Sequence, residues 1–272
     1  MELDLAAALA FTVETAQAAG ELILRHDGLL PGSQRGRPPR MKGPRDPVTE
    51  ADVASERLIV ERIRARFPGT AIVAEEETHD AAGAGLAWYV DPLDGTVNFS
   101  QAHPFFAVSI ALYDGPKPLI GVVHAPRLCE TFAARAGGGA TLNGQRLAGS
   151  DKTRLADALL GTGFAYTRNE LADDNVRHFA DFVPIVRDLR RGGSAALDLA
   201  YVAAGRLDAF WEPHLNAWDV AAGAVLVLEA GGVVTDFAGG GNWLHGRTVI
   251  AGPKPLHTAM AAVLASGAAP SC

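Results

Sequence analysis

The chain has 272 residues, with 24 Lys+Arg against 31 Asp+Glu, a formal net charge of −7 and a hydrophobic share of 48%. That length and apolar share supply a full core and exclude a disordered polypeptide. The acidic balance excludes general nucleic-acid binding, which needs a cationic face.

Alanine accounts for 49 residues, so mean hydropathy is only +0.10 and the core is expected to be helix-rich and finely packed. Two cysteines, Cys129 and Cys272, cannot build a disulfide scaffold and fit a reducing compartment. The opening Met1-Glu2-Leu3-Asp4 is acidic where a secretory signal is basic, and no apolar run approaches membrane-spanning length. The expectation is a cytoplasmic protein with no membrane association and a single domain over residues 1–272.

In chain order, residues 3–27 carry apolar side chains at helical spacing (Leu5, Leu9, Val13, Ala16, Ile23) and read as an amphipathic helix. Residues 28–47 are rich in Gly, Pro and Arg and read as a loop, mobile over 28–45. Within it, residues 31–45 hold Arg35, Arg37, Arg40, Lys42 and Arg45 and no acid. A second helix runs from Thr49 to Phe67, ended by Pro68-Gly69. Strands follow at 71–75, 87–91, 105–113, 118–124, 130–134 and 158–163, with Asp114-Gly115-Pro116 as a hairpin connection and Gly137-Gly138-Gly139 as a turn. The last third alternates: helices at 174–183, 194–205, 217–230 and 255–266, with strands at 207–212, 232–235 and 248–251. This mixed order predicts an α+β or α/β protein rather than a doubly wound dinucleotide fold.

Carboxylates carry the chemical signal. In Trp88-Tyr-Val-Asp91-Pro-Leu-Asp94-Gly-Thr96, a hydrophobic strand delivers Asp91, Pro92 forces a turn, and Asp94 follows three residues later. Hard oxygen ligands at a strand end, beside the free amides of Gly95 and Thr96, suit Mg²⁺ and a phosphate together. Upstream, Glu75-Glu76-Glu77 closes a second strand. Thr49-Glu-Ala-Asp52 fits a capping box, and Asp219 reads as the N-cap of an Ala-rich helix or as a ligand at a helix start. No HExxH, CxxC, phosphate-loop or G-x-S-x-G pattern occurs, and Ser194 is expected to cap the helix after it.

Together DPVTEAD (46–52), AEEE (74–77), DPLDGTVNF (91–99), WDVAAG (218–223) and EAGG (229–232) strongly resemble the inositol monophosphatase family, over about residues 5 to 265. Three departures are Ala74 where the family usually has Gly, Val97 for a frequent Thr, and residues 28–41, longer and more basic than usual. The resemblance implies a layered αβαβα sandwich, usually a homodimer, and a Mg²⁺-dependent, lithium-inhibited phosphomonoesterase using two or three ions. It also implies roles. Glu75, Asp91 and the carbonyl of Leu93 would hold one ion; Asp91, Asp94 and Asp219 a second; Glu75 would touch a third. Thr96 and Asp52 would orient the water, the amides of Gly95 and Thr96 would grip phosphate, and Ala195 and Glu212 would contact the polyol. Lys42 would lie in the mobile loop near the metals. The implied substrate is a small phosphate ester, inositol monophosphate foremost. Histidinol phosphate, fructose 1,6-bisphosphate and 3′-phosphoadenosine nucleotides are the alternatives, and a binding role with the transcription machinery is the alternative outside catalysis.

Overall fold

The computed structural model describes residues 3–26, 39–43 and 45–266. Helix α1 (Leu5–His26) buries Ala8, Thr12, Ala16, Ala19 and Ile23, a stripe at steps of three and four, and the Asp4 carboxylate accepts from Ala6 N and Ala7 N at its start. Strands β1 (Arg40–Gly43) and β2 (Asp46–Val48) then form an antiparallel hairpin. The expected loop thus ends in a two-stranded ribbon, because Met41 and Pro47 lie in register. Most of the expected mobile stretch falls outside the described residues.

Helix α2 (Glu50–Arg66) begins at the Thr49/Asp52 capping box read from the sequence. A seven-stranded sheet follows in spatial order: β3 (Ala71–Ala74), β4 (Leu86–Asp94), then, after the short helix α3 (Thr96–Ser100), β5 (Ala107–Asp114), β6 (Lys117–Ala125), β7 (Glu130–Arg135), β8 (Gly139–Leu142) and β9 (Gln145–Arg146). A five-stranded sheet takes the rest: β10 (Leu159–Thr162) and, beyond helix α4 (Val176–Phe182), β11 (Asp188–Arg190). Helix α5 (Ala195–Ala203), β12 (Ala209–Pro213), helix α6 (Ala217–Glu229), β13 (Val233–Thr235), β14 (Thr248–Gly252) and helix α7 (Lys254–Ser266) complete the chain. Strands β8, β9 and β11 carry no clear alternation and are additions to the sequence reading.

Three cores define the layers. One lies between α1/α2 and the larger sheet, around Ile59, Trp88 and Val122. The second lies between the two sheets and holds α5 and α6, around Leu199, Phe132 and Phe210. The third lies between the smaller sheet and α4/α7, around Trp211, Phe182 and Met260. The order αβαβα is therefore the expected sandwich. Its central helices are packed closely: a Cβ at Gly223 would stand 2.4 Å from Leu199 Cβ, so α5 and α6 meet at their backbones only without a side chain there. Glu229, given no role in the sequence reading, accepts from Gly137 N and Gly139 N and pins the glycine turn between β7 and β8. Among the described residues, no helix is long and apolar enough to cross a membrane.

Candidate active site

The site follows from one pairing. Strands β3 and β4 run parallel with Ala74 opposite Val90, and Glu75 N donates to Val90 O at 3.2 Å. Parallel neighbours end on the same side, so Glu75 and Asp91 emerge together at the sheet's carboxyl edge. Beyond Asp91 the β4–β5 register slips before Asp94, and the Asp91 carboxylate accepts from Leu93 N at 3.0 Å. The turn closes through Gly95 at φ 95°, where a Cβ would stand 3.0 Å from Phe105 O.

Helix starts from the middle layer supply the opposite wall. Asp219 is not the N-cap of α6. Asn216 holds that position because its extended backbone precedes the helix, and Asp219, at N3, accepts from Asn216 N at 2.6 Å. Ser194 caps α5, as expected, and also donates to Asp94 Oδ2 at 2.6 Å, while Ala196 N donates to the same oxygen at 2.7 Å. Behind the wall Asp52, fully buried, accepts from Thr49 N at 2.8 Å and from the Thr96 hydroxyl at 2.9 Å.

A cleft of about 300 Å³ results, lined by Glu75, Asp91, Leu93, Asp94, Gly95, Thr96, Ala195, Glu212 and Asp219. Asp52 sits behind Thr96 rather than on the lining. Lys42 reaches in from β1, its Nζ 3.0 Å from Glu75 Oε1 and 2.6 Å from Glu76 Oε1. A larger open hollow of about 740 Å³ lies over α2, but its charges include the exposed Arg57–Glu77 pair at 3.0 Å and it gathers no buried carboxylates.

Electrostatics set the cleft apart. Burial, then the charges of Glu75, Asp94 and Asp219, push Asp91 well above the usual carboxylate range. Asp219 is raised by burial and then by Glu75. Burial also lifts Asp52 and Asp94 to about 6, against hydrogen bonds that favour their charged forms. Glu75 is raised by burial although Lys42 opposes it. Glu212 is raised by burial and by Asp198. Burial first, and mutual repulsion second, hold this set of carboxyls above the usual range, and bound cations would favour their ionised forms.

The sequence reading missed several residues here. Glu56, 1% exposed, accepts from Glu76 N, Glu77 N and Thr78 N at 2.7, 2.8 and 2.8 Å and so anchors the loop carrying Glu75. Its position four residues after Asp52 on one helix was the available signal. Asn98 Nδ2 donates to Phe105 O and Gly192 O, joining α3 to the α5 start. Asp46, the first residue of the DPVTEAD stretch and given no role in the sequence reading, also lines the cleft, as do Tyr166, Arg191, Asp198 and Arg247, which no local pattern marks.

Comparison with known proteins places the fold and the family. A protein named Nus factor SuhB from Pseudomonas aeruginosa is 44% identical over 249 residues, covering 90% of each chain. An inositol-1-monophosphatase from Mesorhizobium japonicum is 38% identical over 249 residues, covering 91% of this chain and 92% of that one. The structure of an inositol monophosphatase from Anabaena superposes with a TM-score of 0.88 at 36% identity, covering 98% of both chains. The profile of the inositol monophosphatase family matches residues 4–268, and the chain belongs to that family.

Proposed function

We propose that this chain is a Mg²⁺-dependent phosphomonoesterase acting on a small polyol or sugar phosphate, with inositol monophosphate as the favoured substrate. The observation that supports it is the convergence of Glu75, Asp91, Asp94 and Asp219 on one cleft beside the Gly95-Thr96 turn. Among the described residues no three such side chains stand in a finished metal cage. Glu75 is drawn toward Lys42, and Asp94 is held by Ser194 and Ala196. The donor set nevertheless fits Mg²⁺: hard carboxylate oxygens and a strand-end carbonyl, buried and mutually repelling. Glu75, Asp91 and Leu93 O would hold one ion, Asp91, Asp94 and Asp219 a second, and Glu75 would reach a third.

When bound, the ions supply the positive charge that admits a phosphate dianion and eases ionisation of water. The chain's residues do the rest. Thr96 Oγ1 lies 2.9 Å from Asp52 Oδ1 and 3.0 Å from Leu93 O; with its one proton given to Asp52, it can accept a proton from the attacking water. That proton passes through Thr96 to Asp52, whose carboxyl, lifted to about 6, suits proton transfer near neutral pH. The amides of Gly95 and Thr96 orient phosphate oxygens for in-line displacement, and Ala195 and Glu212 meet the alcohol. Lithium inhibition, a homodimeric assembly and a cytoplasmic location belong to the same reading.

The test is phosphate release with Mg²⁺ from inositol 1-phosphate, histidinol phosphate, fructose 1,6-bisphosphate and 3′-phosphoadenosine 5′-phosphate. A preference of about tenfold or more for inositol 1-phosphate is expected. Equal release with and without a chelator would overturn the metal-dependent reading.

A second reading comes from relatives named Nus factor SuhB: a binding role in transcription. Its candidate surface is the basic stretch 35–45. Of the cations there, Lys42 turns toward Glu75 and Glu76, and Arg45 bonds Asn169, which favours a cover for the cleft. Deleting the stretch and measuring both hydrolysis and association with transcription complexes separates the two.

A further inference from the structure

Two segments roof the cleft. The β1–β2 hairpin contributes Asp46, and the turn after β10 contributes Gly163, Ala165 and Tyr166. They are joined across the opening, since Arg45 Nη1 donates to Asn169 Oδ1. The hairpin's other side is tied down by Lys42 on Glu75 and Glu76. Tyr166 is one of the few large apolar side chains left exposed, at 36%, yet it lines this cleft. Burial, then the charges of Asp94, Glu75, Asp46 and Asp91, hold its phenol protonated above the usual tyrosine range.

The rest of the alcohol side is polar. Glu212 lies beneath the Tyr166 turn so closely that a Cβ at Gly163 would stand 2.1 Å from Glu212 Oε2. A phosphate seated at the floor would leave its alcohol in a cleft lined both by Glu212, whose carboxyl exchanges hydrogen bonds with hydroxyls, and by the Tyr166 ring, which calls for an apolar face. A cyclic polyol offers both, because its hydroxyls ring the edge while its C–H bonds form a face. An acyclic ester of similar size has no such face. Aromatic packing of this kind adds binding beyond simple area burial.

We propose that Tyr166 is a specificity-determining residue, packing its ring against the C–H face of a cyclic polyol phosphate and so selecting cyclic over acyclic esters. This rests on the phosphomonoesterase reading and adds the substrate's shape to it.

The test compares kcat/KM for inositol 1-phosphate and for glycerol 2-phosphate, with Mg²⁺, in the wild type, Tyr166→Phe and Tyr166→Ala. Tyr166→Ala is expected to lower the cyclic-to-acyclic ratio about tenfold, through KM for the cyclic ester. Tyr166→Phe keeps the ring and is expected to hold the ratio within about twofold. A ratio unmoved by Tyr166→Ala would overturn the assignment, as would equal losses on both esters or a loss in Tyr166→Phe matching that in Tyr166→Ala. A wild type that releases phosphate from neither ester would overturn the phosphomonoesterase reading itself, an outcome distinct from these.

Discussion

The hydroxyl of Thr96 donates to Asp52 at 2.9 Å, joining the turn after β4 to the first turn of α2 inside a fully buried pocket. Asp52 thereby serves two ends. It completes the capping box of its own helix and accepts from the Thr96 hydroxyl, which also stands 3.0 Å from Leu93 O. Thr96→Val keeps the shape and removes the hydroxyl. It is expected to lower kcat by about 10²-fold or more, while thermal unfolding shows a loss of about 1 kcal/mol. Thr96→Ser is expected to recover most of the rate. Wild-type turnover in Thr96→Val would remove Thr96 from the proton path.

Asp91 and Asp94 are the residues on which metal retention is expected to depend. In Asp91→Asn and Asp94→Asn a donor oxygen and a charge are lost together, so calorimetry should find Mg²⁺ binding weakened about tenfold or more and phosphate release at background. Undiminished Mg²⁺ binding with lost activity would mean that these carboxylates touch substrate rather than metal.

Glu56 tests how the loop carrying Glu75 is held. A glutamine has one acceptor oxygen and no charge for three backbone donors, so at least one amide loses its partner. Glu56→Gln is expected to cost about 2–3 kcal/mol in denaturant unfolding and to raise the Mg²⁺ concentration needed for half-maximal rate. A stability change with no shift in metal requirement would confine Glu56 to folding.

The cleft also fixes a pH dependence. Asp52 and Asp94 lie at about 6 in the folded chain against 3.8 in free aspartate, so folding favours their protonated forms. Their contribution to stability is fully present below about pH 4 and is lost as pH rises through about 6, by roughly 3 kcal/mol for each group. On the proposed metal-dependent reading, Mg²⁺ would bind the ionised carboxylates and offset that loss. The thermal shift produced by Mg²⁺ should therefore be larger at pH 7.5 than at pH 5, and titration with Mg²⁺ near pH 6 should release protons. A Mg²⁺ shift that is equal at both pH values would contradict the electrostatic account.

The sequence by itself determined every helix but the short α3, most of the strands, and which acids carry the chemical signal. Local rules suffice there: Thr49 and Asp52 close a capping box within one helical turn, and Ser194 caps the helix it precedes. Pro92 is expected to end the strand at Asp91, but β4 runs through it to Asp94 with only a slip in register, and Gly95 ends it. The short strands β8, β9 and β11 were not legible, since so few residues give no period to read. Nor was the pairing that makes a site of these acids. Glu75 meets Asp91 because β3 and β4 are parallel, and Asp94 meets Ser194 across 100 residues because α5 lies between the two sheets. Tyr166 and Glu212 came to line one cleft in the same way. Such contacts depend on which faces must be buried against each other, a property of the whole chain's apolar surface, and no stretch of local sequence carries it.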